Sequence, residues 1–141
     1  MDNDYMIFPP RSPARENAGI DKIQYLLSQY FTWVKNKTTL RPVGEWIEIT
    51  TPYLDRHNDY LQIYVKEETN GFILTDGGYI LTDLSQSGPI LEERIFDLIN
   101  GFGIKLEYGS LTVHSISDNF APKMHGLIQV MLAMLAVNYF I

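Results

Sequence analysis

Between Glu45 and Leu84 side-chain character alternates in short runs that turn-forming residues interrupt. From Trp46 to Thr51, Ile47, Ile49 and Thr51 share one face, and Pro52 removes a ladder donor that closes the run or places it at an edge. From Tyr60 to Lys66 the alternation is stricter: Leu61, Ile63 and Val65 fall on one side, Tyr60, Gln62, Tyr64 and Lys66 on the other. A period of two predicts a strand with one buried face. Asn70-Gly71 tolerates positive φ and predicts a hairpin into a strand at Phe72–Thr75. Asp76-Gly77-Gly78 then predicts a second tight turn into a strand at Tyr79–Leu84. The tetrapeptide Ile-Leu-Thr-Asp occurs at 73–76 and again at 80–83. A spacing this short is no solenoid unit, so the repeat reads as two hairpin strands meeting similar demands.

The period changes on both sides of this block. Ile20, Ile23, Leu27, Tyr30, Phe31 and Val34 recur at steps of three and four and predict a helix from Ile20 to about Lys35, with Thr38–Gly44 as a link. Residues 1–17, with Pro9, Pro10 and Pro13, predict a flexible N-terminal arm. Downstream, Ser87 or Gly88 caps a helix that has Pro89 at its first position, buries Leu91, Ile95, Leu98 and Ile99, and ends at a left-handed Gly101. Ile104–Tyr108 and Leu111–Ser115 form a hairpin around Gly109-Ser110. A last helix, from Phe120 to Ile141, carries an apolar stripe through Met124, Leu127, Ile128, Met131 and Leu135. Gly126–Ile141 is uncharged but shorter than the roughly 20 residues of a membrane span. Met134 and its neighbours leave surplus apolar surface for a partner. The order αββββαββα predicts an α+β fold: one domain over 18–141, with a largely antiparallel sheet of about six strands and about three helices.

Charge narrows the functional classes. The chain has 141 residues and a formal net charge of −6. Residues 1–44 hold six Lys/Arg against four Asp/Glu, and residues 45–141 hold five against thirteen, a net of −8. So acidic a body repels a phosphate backbone, which argues against direct nucleic-acid binding and suits a basic protein surface. No cysteine is present, so disulfides and thiolate metal sites are excluded. The acidic start Met1-Asp2-Asn3-Asp4 has no apolar core of a signal peptide, which predicts a cytoplasmic protein.

The densest candidate chemistry is the loop Asp55-Arg56-His57-Asn58-Asp59 together with Asp76 and Asp83. Carboxylates with an imidazole suit a hard cation such as Mg²⁺, and a metal so held activates water for hydrolysis. In that reading Asp55, Asp59 and Asp76 are ligands, and His57 or Lys66 assists catalysis. The same residue types are what tight turns use, so the bland reading is structural and needs no cofactor. His114 and His125 are scattered, and no zinc, nucleophile-elbow or phosphate-loop motif occurs. Tyr60, Gln62, Tyr64 and Lys66 make an aromatic face that either contacts a partner or lies under a helix, and coverage by a helix is the expectation.

The run from Thr51 to Val65 (Thr-Pro-Tyr-Leu-Asp-Arg-His-Asn-Asp-Tyr-Leu-Gln-Ile-Tyr-Val), followed by Ile-Leu-Thr-Asp-Gly-Gly-Tyr at 73–79, resembles the domain-of-unknown-function family eighteen-twenty-eight. Leu-Ile-Asn-Gly-Phe-Gly-Ile-Lys-Leu at 98–106 and the run from His125 to Asn138 resemble it too, so the match spans about residues 45–140. The resemblance implies a bacterial, phage or prophage setting and carries no activity, so Asp55, Asp59, Asp76 and Gly77 gain no role from it. Family members often read Asp-Asp-Gly where this chain has Asp76-Gly77-Gly78, one carboxylate fewer, and tend to continue past the last helix. A shorter form implies a small accessory protein. The expectation is a non-enzymatic protein-binding module of a phage or other mobile element, using Tyr60, Tyr64, Met131 and Met134. An inhibitor of a host defence protein, such as an anti-CRISPR protein, is its specific version. The alternatives are the metal-dependent hydrolase or nuclease and a regulatory or structural homodimer joined through the last helix.

Overall fold

A computed structural model describes residues 13–86 and 92–137. The chain divides into two compact units, Met1–Lys37 and Thr38–Ile141. The first contains helix α1 (Pro13–Lys37), whose basic residues Lys35 and Lys37 lie in its last turn, the favourable sign for the helix dipole. The helix thus takes in Pro13–Asn17, which the sequence assigned to an extended arm; residues 1–12 of that arm lie outside the described residues. Pro13 fits because a first helical residue needs no N–H partner.

The second unit is an α+β fold. Its elements are β1 (Thr39–Val43), β2 (Trp46–Leu54), β3 (Tyr60–Glu68), β4 (Gly71–Thr75), α2 (Tyr79–Gln86), α3 (Glu92–Asn100), β5 (Lys105–Glu107), β6 (Ser110–Ser115), a short 3₁₀ turn at Ser117–Asn119 and α4 (Phe120–Val137). The six strands form one antiparallel sheet in the order β1-β2-β3-β4-β6-β5. The expected strands at Trp46, Tyr60, Phe72, Ile104 and Leu111 are all present.

Two elements differ from the sequence reading. The expected link before Gly44 is the edge strand β1, paired from Thr39↔Thr50 to Val43↔Trp46 around the two-residue turn Gly44-Glu45. Gly44 has φ +60, the conformation such a hairpin demands, and Pro42 is tolerated because an edge strand has one unpaired side. The expected strand Tyr79–Leu84 is helix α2. Gly77 and Gly78 both take positive φ, and the Asp76 carboxylate accepts the N–H groups of Gly78 at 3.0 Å and Ile80 at 2.9 Å. Those donors have no partner inside a helix, so Asp76 caps its start. The tetrapeptide Ile-Leu-Thr-Asp is therefore strand at one occurrence and helix at the other. Gly103 rather than Gly101 takes the left-handed conformation, with φ +67. The caps expected at Ser87 or Gly88, with Pro89 and Leu91, lie outside the described residues.

The core forms where Leu61, Ile63, Leu74, Leu111 and Val113 on one sheet face meet Ile80, Leu84, Ile95 and Ile99 of α2 and α3 and the length of α4. Leu127, Val130, Met131, Met134 and Leu135 of α4 are all buried. A helix apolar around most of its circumference belongs inside a core. Met131, 0% exposed, and Met134, 2%, thus face their own domain, which corrects their expected role at a partner or dimer surface. Among the described residues no helix is long and apolar enough to cross a membrane.

Candidate functional site

Residues alternate across a strand, so the face opposite the core carries Arg41, Trp46, Glu48, Gln62, Tyr64, Lys66 and Thr75. In this second unit α2 and α4 pack on the β4 and β6 side that holds the apolar core. On the polar face the sheet forms a cleft of about 750 Å³. Its walls include Trp46, Tyr60, Tyr64 and Tyr79, with Asp55 and Asp59 at one end. The expected helix cover over Tyr60 and Tyr64 is replaced, within this unit, by an open aromatic concavity. Tyr60 is 59% exposed at its mouth.

Beside the cleft, a charge pair holds the hydroxyl of Tyr64, one of its walls. Arg41 donates from Nε to Glu48 Oε1 at 3.0 Å and from a terminal nitrogen to Oε2 at 3.2 Å, a bidentate pair. Tyr64 donates its hydroxyl to Glu48 Oε2 at 3.1 Å. The hydrogen bonds from Arg41 hold the Glu48 carboxyl below its ordinary range, with Tyr64 adding to the effect. Burial, then the hydrogen bond to Glu48, pushes the Tyr64 hydroxyl up, so it stays a donor. Lys66 Nζ stands 5.0 Å from the centroid of the Trp46 ring, a cation–π contact.

At the acidic end the loop closes on itself. Asp55 Oδ1 accepts the N–H groups of His57 at 2.8 Å and Asp59 at 2.9 Å, and Asn58 turns the chain with φ +64. Tyr79 donates its hydroxyl to Asp55 Oδ2. Burial opposes ionisation of Asp55, but the hydrogen bonds from Tyr79, Asp59 and His57 outweigh it and hold the carboxyl below its ordinary value. Burial and the bond to Asp55 push the Tyr79 hydroxyl strongly up.

Asp76 is 1% exposed and accepts a third N–H, from Leu111 of β6, at 2.9 Å. Burial raises its pKa against these bonds. Arg56 and Asp83 form a buried ion pair, Nε to Oδ2 at 2.9 Å with side-chain exposures of 8% and 9%, and His57 Nε2 lies 2.7 Å from Asp83 Oδ1.

The sequence candidates thus separate. Asp55, Asp59 and Asp76 line one cleft, but Asp55 and Asp76 spend both oxygens on groups of their own fold. Asp59 is exposed and its carboxylate bonds no described residue. His57 turns to Asp83, and Lys66 lies over Trp46. Among the described residues no three His, Asp or Glu side chains are placed to hold a metal ion. Sequence reasoning missed Tyr79, misread as a strand residue, and the Arg41–Glu48–Tyr64 cluster, because β1 was read as a link.

Neither the curated proteins nor the solved structures compared with this chain gave a match. Residues 51–134, more than half of the chain, match the family described as domain of unknown function DUF1828. The match runs from the middle of β2 to the buried Met134 of α4 and takes in the acidic loop, the Asp76 cap and Tyr79. The chain therefore belongs to the DUF1828 family.

Proposed function

We propose that the protein is a non-enzymatic protein-binding module that receives a basic segment of its partner in the aromatic cleft of the sheet. One observation carries this reading: a concavity of about 750 Å³ whose walls bring four aromatic rings beside the Asp59 carboxylate, which bonds no described residue. Tyr and Trp give large contact area at low entropic cost, and they are enriched at the centres of protein interfaces. Lys66 on Trp46 is an internal example of how these rings take a cation. The net charge of −8 beyond residue 44 complements a basic surface and steers the encounter. Inhibition of a host defence protein in the cytoplasm, as by an anti-CRISPR protein, is the specific version of this reading; it rests on the mobile-element setting that the resemblance implies. The hydrolase alternative gains no support from Asp55 and Asp76, whose oxygens accept backbone N–H groups and the Tyr79 hydroxyl.

The test is affinity capture with the wild type, Tyr60→Ala and Asp59→Lys, after thermal melts establish that all three fold alike. A basic partner held by the wild type, lost by both variants and weakened by salt, supports the reading. A partner held equally by all three removes the cleft as the binding surface.

A further inference from the structure

Helix α1 carries apolar residues in a strict heptad. Ile20, Ile23, Leu27, Tyr30 and Val34 follow spacings of three, four, three and four, the a and d positions of a coiled-coil seam. Leu26 and Trp33 flank the seam at g, and Phe31 flanks it at e. The b and c positions are Asp21, Lys22, Ser28, Gln29, Lys35 and Asn36, all polar. Ile20 is 54% exposed, Ile23 62%, Leu27 47%, Tyr30 51% and Phe31 60%. An apolar stripe so exposed marks a contact surface.

We infer that this seam pairs with α1 of a second copy of the chain, in antiparallel orientation. The pattern is self-complementary, which a two-fold contact requires. Val34 aside, the seven exposed side chains of the seam and its flanks, at roughly 200 Å² each and about half exposed, offer roughly 700 Å² per copy, close to the roughly 800 Å² per partner of a standard interface. Charge sets the orientation. Lys35 and Lys37 cluster in the last turn, and a parallel pair would set them beside the partner's Lys35 and the partner's Lys37. The antiparallel pair separates each lysine from its own counterpart, and it opposes the two helix dipoles. In that register Leu27 faces the partner's Tyr30, and Ile23 faces the partner's Val34. This dimer uses the first helix rather than the last.

Light scattering over a wide concentration range tests the pairing. The wild type is expected at twice 16.2 kDa, and Leu27→Glu with Tyr30→Glu at 16.2 kDa, with the melting of the sheet unit unchanged. A wild type that stays at 16.2 kDa, or a double variant that stays dimeric, overturns the inference. Because the chain has no cysteine, disulfide trapping tests the orientation and does not depend on the charged variant folding. Oxidising a mixture of Ile23→Cys and Val34→Cys is expected to give the mixed disulfide dimer, and neither variant alone to cross-link. Self-linking of Ile23→Cys alone overturns the antiparallel arrangement.

Discussion

Replacing Asp76 with alanine tests whether the most buried carboxylate of the cleft is a strap rather than a reagent. Its oxygens accept three backbone N–H groups and tie the start of α2 to β6. The bonds from Ile80 and Leu111 are buried, so both donors are orphaned when the carboxylate is removed. Each costs about 1–3 kcal/mol. Gly78 is partly buried and finds water more readily. Removing a carboxylate whose ionised form burial disfavours returns part of this cost. The expected net loss is about 3 kcal/mol, or roughly 15 °C in Tm for a unit of this size. Asp76→Asn keeps one acceptor oxygen and should lose about 1–2 kcal/mol. Urea unfolding read by circular dichroism, with m unchanged, measures both. The sign with pH is also set: the folded-state pKa of Asp76 lies above its unfolded one. Its contribution is therefore fully present below the ordinary carboxylate range and declines as pH rises through the raised value. A loss under about 1 kcal/mol in Asp76→Ala, or equal losses in both variants, refutes the strap.

Three further outcomes are expected. Tyr79→Phe removes a hydrogen bond to the ionised Asp55 and should cost about 1.5–3 kcal/mol at neutral pH. Because the Asp55 pKa is lowered in the fold, that difference from the wild type should shrink as pH falls through the lowered value, which melts in a pH series will read. Arg56→Ala leaves the Asp83 charge buried and should cost about 3–5 kcal/mol in urea unfolding, whereas His57→Ala, whose side chain is 51% exposed, should stay within about 1 kcal/mol. Gly71→Ala would drive a Cβ into the Ser115 carbonyl oxygen where β4 meets β6, and thermal melts should show a loss of more than about 2 kcal/mol.

The bland reading of the acidic residues, as turn formers, describes Asp55 and Asp76 well. Their side chains accept N–H groups of the following few residues, which is why such residues populate turns. The alternation Leu61, Ile63, Val65 likewise marked the buried face of β3, because a one-residue shift would turn the whole apolar set to water. Partners far along the chain were not legible. Arg56 reaches Asp83 across 27 residues, and Asp76 reaches the Leu111 N–H across 35.

Local pattern was enough for the α+β class, the antiparallel pairing of neighbouring strands, the turn at Asn70 and the long first and last helices, since each follows from a period of two or of three to four within one segment. Three matters were decided only by tertiary structure. Ile-Leu-Thr-Asp became strand at 73–76 and helix at 80–83, because the Asp76 carboxylate and two left-handed glycines start a helix where β6 supplies a third donor. Thr39–Val43 became a strand because β2 offered it an open edge. Met131 and Met134 were drawn into the core because strands and helices from separate stretches of the chain close around α4. Local propensity is worth only a fraction of a kcal/mol per residue, and burying one large side chain is worth roughly 1.5–3 kcal/mol. Where the two compete, the long-range packing wins.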